Sequence, residues 1–202
     1  MANTFAPFGF AVAGRMDGAA WSANQTRYPI LATQTNAMYT GDPVTLEGDG
    51  YVDIFTPGTV AFLGIFNGCS YISSSQGKMV FSPRFPGSDV VTGTEVWAFI
   101  IDDPAAQFYV QTGNSAGSTV TLTQAMVGAN AQFAYGTGST YTGQSGAYLD
   151  LNTTPTTTST LPFRITELVS QHPGANGTDT TTAYGWAKVM FNNEFYRQLT
   201  GI

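Results

Sequence analysis

Charge is scarce in this chain. Only 10% of its 202 residues are charged, against roughly a quarter in an average globular protein. Lys and Arg together number 7 and form no cluster. A nucleic-acid partner is therefore not expected, because cations must replace the counterions of the phosphates. Cys69 is the only cysteine, which excludes an intrachain disulfide and a cysteine-based metal site within one chain. His172 is the only histidine. No apolar run approaches the roughly 20 residues of a membrane helix, so no membrane partner is expected. The opening MANTFAPFGFAVAGR has no basic segment before its apolar residues, and Pro7, Gly9 and Gly14 interrupt it; the pattern predicts no signal peptide. Long amphipathic helices are also missing. The best candidate, Leu122–Ala129, is weakened by Gly128, and 192–199 has room for one or two turns.

What the chain has instead is glycine (23 residues), abundant Ser and Thr, and 13% aromatics. Low charge with many aromatics argues for a packed core rather than disorder. The net charge of −6 reads as solubility. Short alternating runs are split by Gly, Pro and Asn turns. The clearest is Val44–Glu47, then Gly48-Asp49-Gly50, then Tyr51–Phe55. There an Asp-Gly turn between two strand-like runs predicts a hairpin. Glu95–Ile101 is almost continuously apolar, the pattern of a strand buried on both faces. Gly136–Gly146 and Asn152–Thr160 read as exposed polar loops. The expectation is an all-β fold, a single β-sandwich or barrel of jelly-roll type over residues 28–202, preceded by an extended N-terminal arm over residues 1–27. Phe5, Phe8 and Phe10 punctuate that arm around Pro7 and need a surface to bury against.

One stretch suggests chemistry. Gly113-Asn114-Ser115-Ala116-Gly117 matches G-x-S-x-G, and Asp150 and His172 follow in the chain order of an α/β-hydrolase triad. The context argues against an enzyme. The elbow needs a helix after the serine, whereas Ser118–Thr123 alternates and is β-branched, as in a returning strand. The upstream chain offers hairpins instead of βαβ units, and no His-Gly-Gly-Gly segment precedes it. A glycine-flanked hairpin loop is the expectation. Ser75–Lys78 matches S-x-x-K without its partner motifs. Asp49 with Asp53, and Asp102 with Asp103, read as turn acids. No cofactor and no metal site is expected. Cys69 reads as a buried thiol, and Trp97 and Trp186 as core residues that could alternatively form a sugar platform.

The two ends of the chain carry a resemblance. MANTFAPFGF and FNNEFYRQLTGI, with Gly41-Asp42-Pro43-Val44, Phe62–Phe66 leading to Cys69, Ser82-Pro83 before Pro86-Gly87, and Ile101–Pro104, are similar to structural proteins of tailed-bacteriophage virions. The group resembles head decoration, or cement, proteins. The resemblance implies a homo-oligomer, dimer or trimer, that binds the major capsid protein on the outer shell after assembly in the host cytoplasm. It implies contacts through Phe5, Pro7, Phe8 and Phe10 of the arm and through Phe195, Tyr196 and Leu199 near the C-terminus. In this group the arm after the Phe-Gly-Phe segment often carries several arginines; here Ala11–Met16 holds only Arg15, which favours apolar docking. A receptor- or carbohydrate-binding module of a head fibre or tail, and a serine esterase using Ser115, are the rival functions.

Overall fold

The computed structural model describes residues 2–20, 24–58, 62–153, 155–169, 179 and 181–197. Among these the chain forms β1 (Ala11–Arg15), β2 (Thr26–Ile30), β3 (Met38–Tyr39), β4 (Pro43–Leu46), β5 (Val52–Ile54), β6 (Gly64–Ile72) and β7 (Met79–Ser82). It continues through β8 (Arg84–Phe85), β9 (Val96–Ile101), β10 (Ala106–Gly113), β11 (Asn130–Ala134), β12 (Tyr148–Asp150), β13 (Phe163–Leu168) and β14 (Trp186–Phe191). The only helical pieces described are single 3₁₀ turns at Gln124–Met126 and Phe195–Arg197. The all-β class expected from the sequence is what the chain adopts.

The first sheet runs β1-β10-β12-β11-β13-β14, and β14 pairs back onto β10. Five strands thus close into a small ring, with β1 attached outside it. One pair in the ring, β10 with β12, is parallel, a feature that a wholly antiparallel jelly roll lacks. The second sheet runs β2-β9-β6-β4-β5, with β7 also on β6, and β3 pairs β8 separately.

Strand alternation builds the interior. In β14, Ala187, Val189 and Phe191 point inward. With Phe10, Phe62, Phe108, Phe133 and Phe163 they fill an aromatic core inside the ring. Each such side chain contributes roughly 1.5–3 kcal/mol by leaving water. A second core gathers Ile30, Met38, Leu63, Phe66, Val96 and Ile100. The second sheet lies between the two cores. In β6 and β9, Ile65 and Ile101 face the first core and Phe66 and Ile100 the second. The strand over 96–101 is therefore buried on both faces only at its Ile100–Ile101 end; Trp97 and Phe99 are half-exposed.

Several expectations are corrected. The hairpin over 44–55 forms as read, with Val44 opposite Ile54 and Gly50 at φ 83° closing the turn. The returning strand over 119–123 does not form. Both edges of β10 are already taken, by β14 on one side and by β1 and β12 on the other, so no edge remains for a hairpin partner. The helix considered over 122–129 shrinks to its 3₁₀ turn. β6 passes through Asn67-Gly68 with a bulge between Phe66 and Gly68. The loop 136–146 is not wholly exposed: Gly143, Ser145 and Gly146 are buried.

The N-terminal segment is not a free arm throughout. The Gly9 N–H donates to the Ala147 carbonyl (3.1 Å), the Phe10 N–H donates to the Gly41 carbonyl (3.0 Å), and β1 then zips along β10. Phe10 is 3% exposed and stacks on Phe163 at 4.2 Å between ring centroids. Its own core has consumed it, so it is withdrawn from the set of outward contacts.

Candidate functional site: an aromatic strap and an uncovered sheet face

The remaining contact candidates divide by exposure. Residues 3–8 form a strap held down by polar side chains. The Gln111 amide accepts from the Ala6 N–H and donates to the Thr4 carbonyl, both at 2.8 Å. The Asn3 amide donates to the carbonyls of Asp179 and Ala183, both at 2.9 Å. On this strap Phe5 is 43% exposed, set edge-on to Tyr148 (5.3 Å) and tilted against Tyr184 (5.1 Å). Tyr184 itself sits at φ 61°, the one described non-glycine residue with positive φ. Phe8 is half-buried over Trp186 at 4.8 Å, and Pro7 is half-buried. At the other end, Phe195 packs on the second core, while Tyr196 is 56% exposed. The Tyr196 hydroxyl meets that of Tyr28, which donates to Asp102 (2.8 Å). Burial and the neighbouring Asp102 raise the Tyr28 phenol far above its ordinary range. Leu199 lies outside the described residues.

The most exposed apolar sheet surface was not singled out from sequence. On the second sheet, Trp97 lies opposite Ser70 and Pro29, Ser70 opposite Phe81, Ile72 opposite Met79, and Phe99 opposite Gly68 and Arg27. These residues share the face whose other end, Ile65 and Ile101, packs on the ring. Beyond the ring that face is uncovered: Phe81 is 72% and Met79 60% exposed. The Phe81 and Phe99 rings lie nearly parallel at 6.5 Å, beside a shallow cleft of about 340 Å³ that Gly68 and Pro83 help to line. The Arg27 guanidinium sits 4.1 Å over the Trp97 ring, a cation–π contact. Alternation in Met79-Val80-Phe81 signals a two-faced strand, but it does not say which face is covered.

The chemical candidates are positioned as structural groups. The Ser115 hydroxyl donates to the Asp150 carboxylate (2.6 Å), and the Ser115 N–H donates to it as well (3.0 Å). Serine and acid are in direct contact, without an imidazole between them. The turn Asn114–Gly117 closes through the Gly117 N–H to the Asn114 carbonyl (3.0 Å), with Gly117 at φ 78°. Irregular chain, not a helix, follows it. His172 lies outside the described residues. Asp103 pairs with Arg15, Asp102 accepts from Thr26 and Tyr28, and Asp53 accepts from the Asn36 amide. Cys69 is buried, which pushes its thiol up to about 12. Among the described residues no three of His, Cys, Asp and Glu gather as metal ligands.

An open cleft of about 540 Å³ lies between the Pro29–Thr33 segment and Thr92–Trp97, with Tyr51 on its wall. No protein-family model matches the chain, and neither a curated protein nor a solved structure matches it.

Proposed function

We propose that this chain is a structural protein of a bacteriophage virion, a head decoration protein that binds the outer shell and bridges capsid subunits. The reading starts from the resemblance of its two ends and internal segments to that group. The observation that carries it furthest is the uncovered apolar face of the second sheet, where Phe81 and Met79 stand in solvent on an ordered strand. Exposed apolar patches of this kind mark protein contacts, as in a protein whose copies work packed side by side. Phe5 on its strap and Tyr196 are separate aromatic anchors that remain for the shell. Aromatic side chains dominate interface energetics, and many weakly bound copies on one shell hold together by avidity. Adhesion through buried area is the mechanism, and no covalent step is involved.

The test is an averaged reconstruction of the virion that carries this chain. Copies on the outer shell at its twofold or threefold positions are expected; a tail or fibre position would overturn the reading. A second reading, a receptor- or carbohydrate-binding module, is favoured by the 540 Å³ cleft with Tyr51 and Trp97 on its walls, a size typical of small-molecule sites. Glycan-array binding lost in Tyr51→Ala would support it.

A further inference from the structure

We propose that β7 is a self-pairing edge through which two copies of this chain join their second sheets into one continuous sheet. The inference starts from where β7 sends its backbone groups. Among the described residues β7 pairs only with β6. The Ser73 N–H donates to the Lys78 carbonyl (2.9 Å), which marks that pair as hydrogen-bonded. Bonded and non-bonded pairs alternate along an antiparallel ladder, so Val80 bonds toward Tyr71 while Met79 and Phe81 turn their N–H and C=O groups away. The Ile72 carbonyl fits this phase, since it accepts from Val91 on the far side of β6. The free edge of β7 is thus lined by the backbone of its two exposed residues, Met79 and Phe81.

An open edge with apolar side chains is a template for another strand. Within Met79–Ser82 no charge blocks it. A twofold interface must be complementary to itself, and this edge is. With Val80 opposite Val80 of the second copy, Met79 falls opposite Phe81 and Phe81 opposite Met79. Those outward-facing residues then exchange N–H···O=C bonds on both sides of the axis. Each sulfur meets an aromatic ring, a favourable contact. Lys78 falls opposite Ser82, so no like charges face each other, and Pro83, lacking an N–H, ends the pairing. The neighbouring register, Phe81 opposite Phe81, would place Met79 against Pro83 and lose bonds.

The area sets the strength. An aromatic side chain buries about 150–250 Å², so the Met79 and Phe81 side chains of both copies supply on the order of 500 Å². A stable interface needs roughly 1,200–2,000 Å² in total. Pairing is therefore weak in dilute solution and takes hold where copies are already held side by side, at high effective concentration. It does not require the shell assignment, and the two can fail separately.

The experiment is sedimentation equilibrium of the full chain from about 10 µM to about 1 mM, a range that reads weak complexes. The weight-average mass should climb toward that of a dimer. Phe81→Lys removes the side-chain contact and Met79→Pro removes an outward N–H without touching the β6 ladder. Each should weaken association at least tenfold with an unchanged melting temperature, while Tyr141→Ser, on an exposed loop, should not. Val80→Cys should form a covalent dimer under oxidation, because the two residues face each other as a non-hydrogen-bonded pair. A wild-type chain that stays monomeric, an association indifferent to Phe81→Lys and Met79→Pro, or a dimer that Val80→Cys fails to cross-link would each overturn the proposal. So would a monomer whose Phe81→Lys variant loses shell occupancy, since the face would then belong to a different protein.

Discussion

Ser145 donates its hydroxyl proton to the carboxylate of Asp42, and both side chains are almost wholly removed from water. The same carboxylate accepts from the Tyr39 N–H (2.7 Å), and the Ser145 hydroxyl accepts from the Ala147 N–H (2.8 Å). This buried polar knot ties the loop before β12 to the turn before β4, beside the point where Gly9 and Phe10 bond to both. Buried polar groups of this kind are stabilising only while every member is satisfied.

The knot predicts an unusual pH dependence. Burial raises Asp42 to about 6, against the lowering hydrogen bonds from Ser145 and Tyr39. Its unfolded value is near 3.9. Between those values the folded chain holds more proton than the unfolded chain, so stability falls as pH rises. The Asp42 contribution is fully present below about pH 4 and is lost as pH climbs through about 6, on the order of 3 kcal/mol. Asp17 and Asp89, whose hydrogen bonds depress them to about 2, act oppositely and lose their contribution as pH falls from about 4. Thermal melts from pH 4 to pH 7 should show declining stability in the wild type and a flattened profile in Asp42→Asn.

Gly9 should not tolerate a side chain. It sits at φ 76°, and a Cβ there would lie 2.6 Å from the Cβ of Ser145. Positive φ alone costs a non-glycine residue about 1 kcal/mol or more, and the clash adds to it. Gly9→Ala is expected to lower the urea midpoint by the equivalent of about 2 kcal/mol or more; an unchanged midpoint would show that the junction relaxes freely.

The phenylalanines of the N-terminal segment should separate by role. Phe10→Ala removes a ring stacked within the first core and should destabilise by about 3–5 kcal/mol. Phe5→Ala trims a half-exposed ring and should cost under about 1 kcal/mol. If the strap touches the shell, Phe5→Ala should instead lower particle occupancy or heat resistance. Equal stability losses in the two variants would contradict the burial seen here.

Ser115 should behave as a structural residue. A fluorophosphonate probe should leave the protein unlabelled, and Ser115→Ala should cost about 1–2 kcal/mol by taking one donor from the Asp150 carboxylate. A stoichiometric adduct lost in Ser115→Ala would restore the esterase reading.

Part of this was readable in advance. The hairpin of β4 and β5 is written locally: two alternating runs bracket Asp49-Gly50, and the turn needs no distant partner to form. That no helix follows Ser115 was also legible, from the absence of a helical pattern over 118–123. Its structural reason was not. The reading of a hairpin loop failed because β10 is bordered by β1, β12 and β14, strands brought from both ends of the chain. The pairing of Asp150 with Ser115 follows from the parallel register Gly113 opposite Asp150, a non-local fact. Burial of Ser145 in a low-complexity loop was hidden because its neighbours are glycines whose value lies in letting other segments approach.

The contact surface shows the same division. Phe5, Phe8 and Phe10 look alike in sequence, yet one is half-exposed, one half-buried and one sealed in the core. Phe81 carries no distinguishing mark in the sequence and is the most exposed phenylalanine described. Composition, alternation and turn residues by themselves determined an all-β chain with little charge, because these preferences act over a few residues. Which face of each strand met water was decided only by the tertiary structure. Period-two alternation says that a strand has two faces, and only the packing of the ring on one end of the second sheet covers Ile65 and Ile101 and leaves Met79 and Phe81 bare.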